Sequence, residues 1–165
     1  MTFEIPADLD PALMPLAWII GRWQGNGHGT WPGQGQFEYG QQIDFTVGGG
    51  PYLTYVSQLY TIDEQGQPLE PLMAETGFWR PQPDGGLEVV LTNPEGWAEV
   101  WVGKIDGAQI QMVTDAVMRT ESASIDYTGG QRLYGQVDGA LMWTQDRATA
   151  TEPLQTHLWA RLQRA

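Results

Sequence analysis

Few side chains in this chain can do coordination or covalent chemistry. Its 165 residues include two histidines, His28 and His157, a single lysine, Lys104, and no cysteine. Without cysteine there are no disulfides, thiolate metal sites or thiol nucleophiles. Imidazole remains as the group best able to bind a metal near neutral pH, although a lone histidine does not by itself make a metal site. The carboxylates Asp44, Glu75, Glu99 and Asp115 lie on separate segments, and no spacing among them argues for an acid–base pair. Glu75 interrupts Ala74-Glu75-Thr76-Gly77-Phe78-Trp79, otherwise a core-like strand, and is expected as a hydrogen-bonded inward acid or an exposed one. No Gly-x-Ser-x-Gly elbow supplies a serine nucleophile. Gly48-Gly49-Gly50 leads through Pro51 into a strand rather than a helix N-terminus, so it cradles no phosphate.

The two histidines differ in their neighbours. His28 closes the segment Gly21-Arg22-Trp23-Gln24-Gly25-Asn26-Gly27-His28-Gly29. Read as a strand, it puts Gly21, Trp23, Gly25, Gly27 and Gly29 on one face and Arg22, Gln24, Asn26 and His28 on the other. His28 is therefore expected in solvent. A whole face of glycine weakens a strand and calls for close approach of a ligand or of another backbone. The expected picture is an inner face kept empty beside one tryptophan, or a bent barrel strand whose glycines relieve curvature. His157 presents a conflict. Leu158, Ala160 and Leu162 share one face of the last segment, and strict alternation sends His157 to the other, with Trp159 and Arg161. Either a bulge near the strand start changes the face, or the ligand side and the leucine side are distinct.

The elements that must position these groups read as strand, turn, strand throughout. Turn signals fall at Pro32 to Gly35, Gly48 to Pro51, Asp63 to Gly66, Pro81 to Gly86, Asn93 to Gly96, Asp106-Gly107, Gly129-Gly130 and Asp138-Gly139. Between them lie aromatic and β-branched segments: 37–47, 52–62, 87–92, 98–102, 110–114 and 141–144. Helical periodicity is confined to a short turn around Asp10 to Met14, with Asp10 as cap and Pro11 at the first position. The fold class expected is all-β: an antiparallel up-and-down barrel of about ten strands with a short N-terminal helical turn, one domain over residues 1–165. The formal charge of −12, from 20 acidic against eight basic residues, argues against nucleic acid and anionic membrane surfaces as partners. No apolar run approaches the ~18 residues of a membrane span, and no leader pattern is evident, which fits the cytoplasm. Eight tryptophans suit a pocket wall as well as a core.

The stretch Pro15-Leu16-Ala17-Trp18-Ile19-Ile20-Gly21-Arg22-Trp23-Gln24-Gly25-Asn26-Gly27 resembles the opening Gly-x-Trp-x-Gly-x-Gly motif of the nitrobindins, haem-binding β-barrels shaped like fatty-acid-binding proteins. The likeness continues through Phe37-Glu38-Tyr39, Pro51 to Tyr55, Pro71 to Pro81 and Leu87 to Leu91, and ends at Pro153-Leu154-Gln155-Thr156-His157-Leu158. It implies ferric haem b as cofactor, His157 as the axial iron ligand, and Gly21, Trp23, Gly25 and Gly27 beside the cofactor. It also implies nitric oxide and peroxynitrite as small-molecule partners, with a possible peroxynitrite isomerase activity yielding nitrate. Protonation of His157 should then compete with the iron and steepen haem loss in mild acid. The resemblance lapses at Val47-Gly48-Gly49-Gly50, where the family often has His-Val-Gly-Lys. It lapses again at Ser122-Ala123-Ser124, where some relatives carry Thr-Ala-Lys, and at Trp31-Pro32-Gly33 in place of Tyr-Pro-Thr. Those departures leave the distal face and the residues holding the propionates unassigned. The competing reading is a non-enzymatic carrier of a fatty acid or other apolar molecule, with Arg80, Arg119 or Arg132 for the head group.

Overall fold

The computed structural model describes residues 3–165. Ten strands follow one another in the chain: β1 (Gly21–Trp31), β2 (Gly35–Val47), β3 (Leu53–Ile62), β4 (Pro68–Pro81), β5 (Gly86–Thr92), β6 (Trp97–Asp106), β7 (Gln109–Arg119), β8 (Tyr127–Val137), β9 (Ala140–Thr149) and β10 (Gln155–Arg164). Each pairs antiparallel with its neighbours in sequence, and β1 pairs with β10, so the sheet closes on itself. Closure removes every exposed sheet edge. The up-and-down barrel read from the turn spacing is the architecture found.

The turn signals work as chemistry predicts, with one exception. Gly66, Gly85, Gly96, Gly107 and Gly139 have φ between +58° and +105°, the left-handed region that a tight turn needs and a Cβ disfavours. Gly129-Gly130, read as a turn, lies instead inside β8. A Cβ on Gly130 would stand 2.6 Å from the Asp146 carbonyl and 3.2 Å from the Trp101 ring, so glycine there serves close packing.

The N-terminal turn is longer than expected, a 3-10 helix over Pro11–Ile19 that runs through Pro15. Asp10 caps it, its carboxylate accepting from the Ala12 N–H at 2.9 Å. Its buried Leu13, Leu16 and Ile19 join Trp23, Phe45, Leu53 and Trp79 in the core. Those barrel residues come from the start of β1, the end of β2, the start of β3 and the end of β4, so the helix lies over one end of the barrel. Gly21, at φ +121°, takes the chain from helix into β1. The opposite end is built from the end of β1, the start of β2, the end of β9 and the start of β10, and it carries the site.

Candidate functional site

The conflict at His157 is resolved by a β-bulge. Thr156 pairs with Asp146 and Leu158 with Gln145, leaving His157 as the extra residue on β10. His157 and Leu158 consequently both point inward, at 2% and 3% exposure. The strand then resumes alternation, burying Ala160 and Leu162.

His157 Nδ1 lies 3.1 Å from the Thr30 carbonyl oxygen of β1. A carbonyl only accepts, so Nδ1 carries the proton and Nε2 holds the free lone pair. Nε2 is buried and has no hydrogen-bond partner among the described residues. Burial first, and the charge of Arg147 second, push the imidazole pKa down to about 4, against the opposing pull of the Thr30 bond. The ring is therefore neutral at physiological pH. Trp31 and Phe37 hold it edge-on, with centroids 5.4 and 6.4 Å away. A ring fixed by Nδ1–H to a backbone carbonyl, with Nε2 bare, is the arrangement in which proteins present histidine to a metal.

His157 lines a cavity at this end of the barrel. Leu59, Met73, Ala74 and Leu158 form its apolar wall, Trp97 and Trp143 its aromatic one. The floor is a charged layer. Arg132, 4% exposed, donates from Nη1 and Nη2 to the two Glu75 oxygens at 2.6 and 2.8 Å, and its guanidinium lies 4.8 Å from the Trp101 ring centroid. Glu99 approaches the same guanidinium at 4.0 Å. Burial would raise the Glu75 carboxyl, but the charge and hydrogen bonds of Arg132 outweigh it and hold Glu75 ionised. Burial dominates at Glu99, whose pKa is raised. Glu75 is thus the hydrogen-bonded inward acid of the two alternatives. Arg147 was not singled out by the sequence, and nothing local showed that Glu75, Glu99 and Arg132 meet, because only barrel closure brings them together.

The glycine motif occupies a different region. Gly21, Trp23, Gly25 and Gly27 face inward as alternation requires but do not line the His157 cavity. Nor is their face empty. A Cβ on Gly27 would meet the Tyr39 ring at 2.5 Å and the Trp159 carbonyl at 2.7 Å; one on Gly25 would meet the Arg161 carbonyl at 2.9 Å. Gly29 is covered by the Phe37 ring. Trp23 sits by the helix, its indole donating to the Ile19 carbonyl and Arg164 stacked over it. Neighbouring backbone and aromatic rings, rather than vacant space, are what this glycine face accommodates. His28 is exposed, as expected, and stacks on Trp159.

Each arginine considered for a fatty-acid head group already has a partner. Arg80 pairs with Glu88, Arg119 donates to the Tyr127 carbonyl, and Arg132 is held by Glu75. Among the described residues no cluster of three or more His, Cys, Asp or Glu could hold a bare metal ion. A metal delivered within a porphyrin asks for an axial ligand from the protein. His157 Nε2 offers one, beside the apolar wall of Leu59, Met73, Ala74 and Leu158.

The family described as "THAP4-like, heme-binding beta-barrel domain" matches residues 12–164. The chain belongs to this family. It is 58% identical over 166 residues to a "Ferric nitrobindin-like protein" of Cutibacterium acnes, covering the full length of both. It is 46% identical over 164 residues to a "Peroxynitrite isomerase" of a Nocardioides species, covering 99% of each. Among solved structures it resembles "Rv2717c from M. tuberculosis", with a TM-score of 0.85 and 33% identity over 96% of this chain and 99% of the other. No helix among the described residues is long and apolar enough to cross a membrane.

Proposed function

We propose that this protein is a cytoplasmic, single-domain ferric haem b protein in which His157 is the axial ligand, and that it converts peroxynitrite to nitrate. The observation that carries the reading is the buried, unpartnered Nε2 of His157, facing a cavity while Nδ1 is tied to Thr30. A bare buried polar atom costs stability, and here it leaves a lone pair free for a metal. The naming of similar proteins as peroxynitrite isomerases supports the substrate, and that of another as a ferric nitrobindin-like protein supports the ferric cofactor.

When bound, ferric haem would supply an iron at which peroxynitrite rearranges to nitrate, an isomerisation with no net gain or loss of atoms or electrons. The chain's own contribution is orientation and exclusion of water. Thr30 fixes the tautomer that leaves Nε2 free, and Trp31 and Phe37 hold the ring edge-on. Leu59, Met73, Leu158, Trp97 and Trp143 provide an apolar enclosure suited to a flat hydrophobic group. The Arg132–Glu75 pair closes the floor with its charges matched internally.

Ferric haem titrated into the apo protein should give one saturable Soret transition and accelerate peroxynitrite decay to nitrate. His157→Ala should lose both. A His157→Ala protein that keeps the wild-type spectrum, or a wild type that ignores haem and takes up a fatty acid, would overturn the proposal.

A further inference from the structure

Two arginines are buried inside this barrel, and they are not equivalent. Arg132 is neutralised by a bidentate carboxylate, the arrangement that makes a buried guanidinium tolerable. Arg147, on β9, is 8% exposed, and among the described residues it forms no ion pair. Its Nε is buried without a hydrogen-bond partner. The guanidinium lies over Trp31, 4.0 Å from the ring centroid, and donates no side-chain hydrogen bond among the described residues. Burial lowers its pKa only to about 10, so it stays charged at neutral pH, and Glu95 attracts it through space without pairing. An unpaired buried cation is among the costlier features a fold can carry.

Arg147 lines the same cavity as His157 and lies close enough for its charge to depress the imidazole pKa. Site and cation therefore belong together. A planar guanidinium that lines a cavity without a carboxylate partner matches a carboxylate, which it binds through two parallel N–H···O bonds. Haem b carries two carboxylates at one edge of an otherwise apolar disc. The other arginine lining the cavity, Arg132, is already held by Glu75.

We propose that Arg147 is the carboxylate seat of this cavity and pairs with a haem propionate. The inference rests on the reading of His157 and the cavity as a haem site. Arg147 acts here as a binding residue.

The test compares apo wild type, Arg147→Met and Arg147→Lys in titrations with ferric haem b and with its dimethyl ester, which lacks the carboxylates. Wild type should prefer haem to the ester. Arg147→Met should lose about 10- to 100-fold in haem affinity, the range of one charge-assisted contact, with ester affinity unchanged within about twofold. Its apo form should melt no lower than wild type, since the substitution removes an unpaired charge from the interior. Should Arg147→Met fail to fold, Arg147→Lys carries the comparison: charge without the planar fork should lose several-fold in haem affinity against an unchanged ester. Equal affinities of wild type and variant for haem, or equal losses for haem and ester, would overturn the proposal. So would intact haem affinity together with weakened azide binding to the loaded variant, which would put the anion on the iron. If wild type takes up neither haem nor ester, the haem reading itself has failed and this inference falls with it. If both bind and only the Arg147 contrast is missing, the inference alone has failed.

Discussion

Acidifying the haem-free protein should destabilise it through His157. The imidazole pKa falls from the ordinary 6.5 in the unfolded chain to about 4 in the fold. Between those values the unfolded chain holds a proton that the folded chain refuses, so unfolding becomes easier as pH drops. The penalty is absent above about pH 6.5 and grows by about 1.4 kcal/mol per pH unit. It is complete below about pH 4, at about 3 kcal/mol. Against a typical domain stability of about 5–15 kcal/mol that is a large loss. Urea denaturation followed by tryptophan fluorescence at pH 7.5, 6.5, 5.5 and 4.5 would measure it, with wild type and His157→Leu side by side. Groups that titrate alike in both proteins cancel in the difference, which should shift toward the variant by about 1.4 kcal/mol per unit below pH 6.5. A difference that stays constant from pH 7.5 to 4.5 would refute the claim that His157 is buried as the neutral form. The same depression moves proton competition with iron from mild acid toward pH 4. Haem should therefore persist through the range in which a surface imidazole would release it.

Three further perturbations test the surroundings. Arg132→Met strands Glu75 as a buried unpaired carboxylate and should cost about 3–5 kcal/mol in urea, whereas Arg132→Met with Glu75→Leu should recover most of it; equal losses in single and double variants would argue against the pairing. Gly27→Ala drives a Cβ into the Tyr39 ring and the Trp159 carbonyl and should lower stability by about 1–3 kcal/mol in a thermal melt, so an unchanged melting temperature would contradict the close approach. His28→Ala removes only an exposed ring stacked on Trp159 and should change stability by no more than about 0.5 kcal/mol; a Soret band lost in that variant would move the iron ligand away from His157.

The meander was legible because its turns are local chemistry. A glycine that must take positive φ announces itself where Asp, Asn or Pro precede it, as at Asp63 to Gly66 and Asp138-Gly139. Gly129-Gly130 misled for the same reason. Glycine needed for contact with the Asp146 carbonyl looks, in sequence, like glycine needed for a turn. The Gly21 face was legible as a face but not in what covers it, since Tyr39 and Phe37 arrive from β2 and the carbonyls from β10. The pairing within the charged floor was not legible. Arg132 and Glu75 lie 57 positions apart, and nothing short of barrel closure says that they meet.

His157 shows where alternation stops being informative. Period 2 gives the face of a residue only relative to its neighbours in one unbroken ladder, and a single bulge inverts everything on one side of it. The sequence could pose the conflict between His157 and Leu158 but not settle it, because the energy that settles it is not local. Turning a leucine outward forfeits its burial, on the order of 2 kcal/mol, and turning the histidine inward strips an imidazole of water. The bulge lets Leu158 stay in while His157 joins it, and the fold can afford the imidazole because Nδ1 finds the Thr30 carbonyl, 127 residues away. That carbonyl satisfies one nitrogen and leaves the other bare. A core histidine kept only for packing gains from pairing both nitrogens; one held by Nδ1 alone, with Nε2 toward a cavity, has been left incomplete on the side where a metal would complete it.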